Sequence, residues 1–408
     1  MVKHTNNEKI EAAFDVPFNY SVLFTRNVFD ASNTVLTDLG KQTDNTLPNS
    51  ALVFVDDGVA NAWPELIPRI QQYFSSNNRY WQLPAEPQQL PGGEAGKNSF
   101  DIPLKVIRLA RRVHLDRHSF IIAVGGGAFL DSVGFAASMI HRGVRLIRLP
   151  TTVLAQNDSG IGVKNGVNLQ GAKNFLGTFA PPYAVINDNA FIATLSDRDW
   201  RAGITEAFKV ATIKDKEFLY WLQKNTGKLR ERNDEAMQYL IKRCAELHVE
   251  HIQSNGDPFE FGDARPLDFG HWLGHKLESL TFHELNHGEA VSIGICVDLL
   301  YAAQLGYIPK EEAISIIVSL SECGLPIWHD TCQQETPDNE KLIYHGIEEF
   351  REHLGGKLCI TLPKPVGDKT EINTIDTSIL EKCINELQEY ETAYSFDYDR
   401  KYDREYDL

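Results

Sequence analysis

The feature that most constrains this chain is an unbroken apolar run, Ser119-Phe120-Ile121-Ile122-Ala123-Val124. It passes directly into Gly125-Gly126-Gly127 and then into a helical period over residues 128–140. A strand apolar at every position has both faces covered, which belongs to a parallel sheet with helices on either side. Three glycines at the strand-to-helix junction leave backbone N–H groups bare at a helix N-terminus, where a phosphate can approach closely. Asp131 sits in the first turn of that helix. The spacing does not match the GxGxxG dinucleotide fingerprint, so a plain packing turn stands beside the phosphate-binding reading.

The same signals recur through the first half. Strands are expected over residues 20–28, 52–56, 80–83, 144–149 and 184–187, and short helices over 33–39 and 100–114. The run over 52–56 ends on Asp56, an acid placed either to take a ribose hydroxyl or to cap the next helix. Residues 91–98 form a glycine-rich loop carrying Glu94 and Lys97. The strand over 144–149 closes on Pro150-Thr151-Thr152. Residues 156–174 read as a long polar loop crowded with Asp158, Lys164, Asn165, Asn168, Lys173 and Asn174, the kind of segment on which sites are built.

From about residue 195 the pattern turns helical, with periods over 199–226, 232–253, 268–281, 287–304, 309–321 and 375–389, and a hairpin-like Gly/Pro segment over 355–367. A chain of 408 residues exceeds one compact core. The expected division is a leader over 1–17, an α/β domain over 18–195, a mostly helical domain over 196–390 and a flexible tail over 391–408. A formal charge of -16 argues against nucleic-acid and anionic-membrane partners. Six scattered cysteines without a CxxC pair, no apolar run long enough to span a bilayer and a polar N-terminus point to a cytoplasmic protein with reduced thiols.

Function concentrates in residues 268–278 and 286–290, which carry three histidines and several carboxylates. His271 and His275 are four apart, so on a helix they share one face and offer two imidazoles to one metal ion, with His287 in reach as a third group. A helix with two ordinary histidines is the plainer alternative. Glu206 and Lys209, three apart among apolar neighbours, form either a solvated ion pair or an inward-facing one.

Taken in order, Gly125-Gly126-Gly127-(x)3-Asp131, His141-Arg142-Gly143, Pro150-Thr151-Thr152, Asp158-Ser159-(x)4-Lys164, Lys173-Asn174-(x)2-Gly177, Glu206-(x)2-Lys209, Gly270-His271-(x)3-His275 and His287-Gly288-Glu289-Ala290 resemble the sugar phosphate cyclase superfamily. Its best-known member is 3-dehydroquinate synthase. The resemblance implies a Rossmann-like NAD-binding α/β domain, a helical metal-binding domain and a homodimer. It implies Glu206, His271 and His287 as ligands of a divalent metal, zinc or else cobalt, and makes His275 a substrate-facing group rather than a ligand. NAD would meet Asp56, Glu94, Lys97, Gly125, Gly126, Gly127, Asp131, Thr151, Thr152 and Thr194. Arg142, Lys173, Asn174, Arg265 and Arg351 would bind the sugar phosphate. Lys164, Lys209, His275, Asp158 and Asp268 would carry the chemistry. In such enzymes a secondary alcohol is transiently oxidised, phosphate is eliminated, the hydride returns, and an aldol step closes a carbocycle, so NAD is regenerated and the enzyme is a lyase.

The departures from 3-dehydroquinate synthase bear on the substrate. That enzyme surrounds a substrate carboxylate with an Asn just before its Gly-His pair, an Arg four residues earlier and a lysine further upstream. Here the first two positions are Asp268 and Ala264, and no lysine lies between His248 and Arg265. An anionic Asp268 repels a carboxylate. The resemblance therefore leans to the cyclases of sedoheptulose 7-phosphate, and retention of His275 to the 2-epi-valiolone synthase branch. The remaining alternatives are 3-dehydroquinate synthase itself and a metal- and NAD-dependent polyol or glycerol-phosphate dehydrogenase.

Overall fold

The computed structural model describes residues 12–43, 47–170, 172–254, 259 and 266–394. Arg265 and the tail from 395 onward lie outside the described residues, as do residues 1–11 of the expected leader.

The α/β half contains strands β1 (Ser21–Thr25), β2 (Asn49–Asp56), β3 (Trp81–Gln82), β4 (Gln88–Leu90), β5 (Phe120–Gly125), β6 (Arg145–Pro150), β7 (Lys164–Leu169), β8 (Ala172–Phe179) and β9 (Ala184–Asp188). Seven of them form one sheet in the order β1-β9-β6-β5-β2-β3, with β4 also pairing with β2. Every pairing in that sheet is parallel. The apolar runs explain this burial. Val53, Val55, Phe120, Ile122 and Val124 face one apolar layer with Leu36, Ile70 and Trp81. Leu52, Phe54, Ile121 and Ala123 face the other, with Ile102, Val106, Phe129 and Leu130. Alternate residues thus fill both layers, as the two-residue period of a strand requires. The carboxyl ends of β2, β5, β6 and β9 place Asp56, Gly125, Pro150 and Asp188 along one edge, where open parallel sheets take their ligands.

Two expectations are corrected. Residues 156–174 are not one loop: a π-helical turn, Ala155–Ser159, precedes the antiparallel hairpin β7–β8. The polar side chains hide the ribbon because they fall in adjacent pairs, Lys164-Asn165 and Lys173-Asn174, with no two-residue alternation to mark a strand. The helical period over 199–226 is broken into Asp197–Ala202, Ile204–Lys214, Lys216–Lys224 and Thr226–Arg230. One break falls at Gly203, where a Cβ would meet Val153 Cγ1 at 2.4 Å. Another falls at Asp215, whose side chain caps the next helix by accepting from Phe218 N at 3.0 Å.

In the helical half, the buried helix His287–Gln304 is packed by Ile204–Lys214, His271–Leu280, Lys310–Glu322 and Thr377–Tyr394. The last of these runs past residue 390. The Gly/Pro segment does form a hairpin, β10 (Ile360–Pro363) with β11 (Lys369–Ile372). The helix His345–His353 gave no clear period in the sequence. None of the described helices is long and apolar enough to cross a membrane.

Candidate active site

Three elements bring Glu206, His271 and His287 together. Glu206 lies in the first turn of Ile204–Lys214, His271 opens His271–Leu280, and His287 opens His287–Gln304. The last helix begins where its sequence says it should. The Asn286 side chain accepts from Glu289 N at 3.0 Å, and Glu289 Oε2 accepts from Asn286 N at 2.9 Å, a reciprocal capping box. Gly288 allows that turn to rest on Ala202, whose carbonyl oxygen would lie 2.1 Å from a Cβ. His271 is set by Gly270 in the left-handed region at φ +78, whose N–H donates to Asp298 Oδ2 at 2.9 Å. Trp272 Nε1 donates to Asp298 Oδ1 at 2.8 Å.

His271 Nε2 and His287 Nε2 lie 3.8 and 3.7 Å from Glu206 Oε1. These separations are too long for hydrogen bonds. Donors about 2.1 Å from a shared tetrahedral ion lie roughly 3.4 Å apart. Glu206 Oε1 is buried and has no hydrogen-bond partner, a costly state for a carboxylate unless a cation completes it. His271 Nδ1 donates to the Phe269 carbonyl at 3.1 Å, which leaves Nε2 free to coordinate. His287 Nδ1 meets Glu278 Oε2 at 3.2 Å, the carboxylate-histidine arrangement that supports metal ligands. Burial opposes a charge on His287, but Glu278 and Glu206 outweigh it and push its pKa up to about 10. Burial, with Lys209 and the other two imidazoles, holds His271 well below its ordinary value. The donor set therefore fits a divalent cation, in both charge and spacing.

His275, one turn along from His271, has its ring 5.4 Å from that of His271 and 5.9 Å from that of His287. A second possible grouping, His275 with Glu278 and His287, shares the last ligand. The first grouping is better supported, because there Glu206 is left with a bare oxygen, whereas Glu278 is already bonded to His287 and Lys173. Lys209 is the inward-facing alternative: it touches Glu206, both buried. Burial opposes its charge, but Glu206, Asp158 and Asp268 hold the ammonium above its ordinary range. Asp158, despite burial, is held below the usual carboxylate range by Lys209 and by its hydrogen bond from His248. These relations place Asp158, Asp268 and Lys209 beside the histidine cluster.

The second cluster forms where the glycine turn meets the hairpin. Lys97, buried in the turn Glu94–Asn98, donates to Asp131 Oδ2 at 2.8 Å and to Asn174 Oδ1 at 2.6 Å. Asn168 donates to Glu94 Oε1 at 3.1 Å. The adjacent Lys173 donates to Glu278 Oε1 at 3.0 Å, so two neighbouring residues of β8 join the two clusters. Asn174 permits this divergence by taking φ +50, a conformation asparagine tolerates. The helix Gly127–Met139 has no side-chain cap, which leaves its first N–H groups for an anion. A Cβ on Gly127 would meet Ser159 Oγ at 2.4 Å, and Thr151 Oγ1 is buried without a partner. This cradle fits a dinucleotide phosphate. Asp56 accepts from Gly58 N at 2.8 Å and caps the helix that follows. Thr152 Oγ1 accepts from Ala155 N at 3.1 Å, and Thr194 donates to Phe191 O at 2.7 Å.

Not every expected residue joins these clusters. Arg142 does not: it lines a basic surface depression with Arg117, His118, His141 and Arg145, at the amino end of β6. The six residues of β6 put that end about 17 Å from Pro150 at the ligand edge. Arg351 pairs with Glu348 on the exposed side of its helix. Lys164 is exposed at the start of β7, held through its carbonyl, which accepts from Arg148 at 3.0 Å. Four residues went unassigned in the sequence: Glu278, Asp298, His248 and Arg148. Glu278 is seven after His271, on the same helix face, and that periodicity was available. Arg148 is fully buried and donates to the carbonyls of Gly160, Gly162 and Lys164 and to Asn165 Oδ1. A charged residue inside an apolar strand was its one signal.

Comparison with known proteins shows the family and the fold. Residues 88–202 match the model of the 3-dehydroquinate synthase N-terminal domain, and residues 203–345 that of its C-terminal domain. The chain is 34% identical over 300 residues to the 3-dehydroquinate synthase of Blochmanniella floridana, covering 73% of this chain and 80% of that protein. It is 33% identical to the 2-epi-5-epi-valiolone synthase of Streptomyces glaucescens, over 70% of this chain and 72% of that one. Among solved structures it resembles the 2-epi-5-epi-valiolone synthase of Streptomyces hygroscopicus subsp. jinggangensis 5008, solved with NAD+ and Zn2+ bound. That match has a TM-score of 0.81 and 27% identity, and covers 94% of this chain and 100% of that one.

Proposed function

The chain belongs to the 3-dehydroquinate synthase family of sugar phosphate cyclases, and within it we propose that it converts sedoheptulose 7-phosphate to a seven-carbon carbocycle of the 2-epi-valiolone type, with release of phosphate. Asp268 carries this reading. It is an acid immediately before the Phe269-Gly270-His271 turn, near enough to Lys209 to help raise its pKa. A substrate bearing a carboxylate there would meet like charge, which costs several kcal/mol when close. A neutral polyol end meets an acceptor for its hydroxyls instead.

NAD, held at the Gly125–Gly127 turn, and a zinc ion, held by Glu206, His271 and His287, would supply reversible hydride transfer and polarisation of a substrate alcohol. The chain's own residues do the rest by positioning. Lys97 and Asp131 order the loop that closes the dinucleotide cradle. Lys173, with Asn174, offers cationic and amide donors for the phosphate. Lys209 holds positive charge beside the carboxylates, where a developing alkoxide or enolate would otherwise be repelled. His275, on the same face as His271, would hydrogen-bond the reacting ring.

The test is incubation with NAD, zinc and either sedoheptulose 7-phosphate or the carboxylate-bearing heptulosonate 7-phosphate. Phosphate release is measured and the carbocycle identified by NMR. Turnover of the heptulosonate alone would make the enzyme a 3-dehydroquinate synthase, the reading favoured by the names of several relatives. Lasting NADH absorbance would instead indicate a dehydrogenase, because a cyclase returns its hydride.

A further inference from the structure

His248 lies on the helix Asp234–Ser254 and was not among the residues expected to act. Its Nδ1 is 2.9 Å from Asp158 Oδ1. An ionised carboxylate can only accept, so Nδ1 carries the proton of that bond. While the ring holds one proton, Nε2 is therefore a bare acceptor. It has no hydrogen-bond partner among the described residues, and the side chain is 14% exposed. The ring lies against Gly162, where a Cβ would stand 3.3 Å from Nε2, so the glycine leaves room beside that nitrogen. Gly162 in turn is fixed by Arg148, which donates to its carbonyl at 2.7 Å. The ring is thus held between Asp158 and Gly162, and Asp158 in turn lies near Lys209 and His271.

We infer that His248, oriented by Asp158, is a substrate-specificity residue whose Nε2 accepts a hydrogen bond from a substrate hydroxyl. A lone-pair acceptor pairs with an alcohol, which has a proton to give, and finds no partner in a carboxylate, which has none. The surroundings sharpen the choice: Asp158, Glu206 and Asp268 are acids, and Lys209 is already engaged by Glu206. This deepens the proposed function, since it rests on a substrate whose end is a polyol rather than an acid.

The experiment is a cycle between variants and substrates on the NAD- and zinc-loaded enzyme. H248N keeps a donor toward Asp158 and removes the far nitrogen. Sedoheptulose 7-phosphate is compared with its monodeoxy analogues, each lacking one hydroxyl. Wild type should lose about tenfold in kcat/KM, mostly in KM, on one particular analogue, the worth of one hydrogen bond. H248N should lose about tenfold on the full substrate and nothing further on that analogue. H248Q, whose longer amide can set an oxygen near the Nε2 position, should restore part of the discrimination, and it serves also if H248N does not fold. Unchanged kinetics in H248N, or equal losses on every analogue in both proteins, would overturn the inference. If wild type turns over only the heptulosonate, the substrate reading fails by itself. The same cycle on the hydroxyls of that sugar then still decides whether His248 holds one.

Discussion

Replacing Gly294 by alanine should loosen the metal centre without touching a ligand. Gly294 lies inside His287–Gln304, where that helix crosses the turn carrying His271. A Cβ there would stand 2.0 Å from Gly270 O and 2.9 Å from Gly270 C. Non-bonded atoms rest near 3.5 Å, so the turn must retreat by about 1.5 Å. It cannot yield freely, because the Gly270 and Trp272 N–H groups are both held by Asp298 four residues further along the same helix. Overpacking of this kind costs about 1–3 kcal/mol. Metal bonds tolerate displacements of only about 0.2 Å, so His271 would be pulled out of register with Glu206 and His287. The expected result is a melting temperature lowered by several degrees and zinc affinity lowered by about 10–100-fold, the scale seen when support of a ligand is lost. Competition with a chromogenic chelator and thermal scanning with and without zinc measure both. Gly227→Ala is the control, since nothing lies within 4 Å of its Cβ and alanine suits a helix better. Should Gly294→Ala hold zinc as tightly as Gly227→Ala, the argument that this crossing sets His271 is wrong.

Other outcomes follow from the same geometry. Glu206→Gln should abolish zinc retention in a metal assay and destabilise the fold by about 3–5 kcal/mol in denaturant titration, because the buried Lys209 ammonium loses its counter-charge; a variant with full zinc content would remove Glu206 from the ligand set. Glu278→Gln should weaken zinc by about 10–100-fold while leaving Glu206 and His271 intact, since it neutralises the partner of His287 and Lys173; unaltered affinity in chelator competition would count against that support. Asp298 is pushed up to about 7 by burial, against hydrogen bonds from Trp272 and Gly270 that favour its charged form. A carboxyl raised in the folded state binds its proton more tightly there than when unfolded. Its contribution is therefore complete below about pH 4 and is lost as pH rises to about 7. Asp298→Asn should flatten that part of the melting-temperature profile, and parallel profiles for the two proteins would refute it.

The fold was legible where burial writes itself into composition. The apolar runs at 52–56 and 119–124 became β2 and β5 because strands covered on both faces leave no polar alternation to misread, and 144–149, apolar apart from Arg145 and Arg148, became β6. The hairpin β7–β8 was not legible, since its polar residues serve the site and so look like loop. The breaks at Gly203 and Asp215 were hidden by an apolar period that continues across them, while the cause of one of them, Val153, lies fifty residues upstream. In the site, the grouping of Glu206, His271 and His287 came through family resemblance, whereas spacing alone suggested His271 with His275. Arg142 and Arg351 show the limit of that route. A motif carries a residue type to a position, but only the three-dimensional path shows that β6 separates Arg142 from the ligand edge of its own chain.

The residues the sequence left unassigned share a physical character that explains both their obscurity and their use. Glu278, Asp298 and Arg148 each act through another group: Glu278 on His287, Asp298 on the turn before His271, and Arg148 on the run between Asp158 and Lys164, whereas His248 is itself oriented by Asp158. Glu278, Asp298 and Arg148 are buried polar groups that would be costly in an apolar interior without the bonds they make, and His248 is largely sheltered. Their partners are distant in sequence, so no spacing rule reveals them. The helix His271–Leu280 shows what this arrangement achieves. It presents His271, His275 and Glu278 from one face, so the proposed ligand, the proposed substrate-facing group and the residue bonded to His287 are all carried by one element. Substrate choice can then drift, through residues such as Asp268 and His248, without disturbing the metal centre, because those two side chains border the shared unit and belong to neither of its clamps.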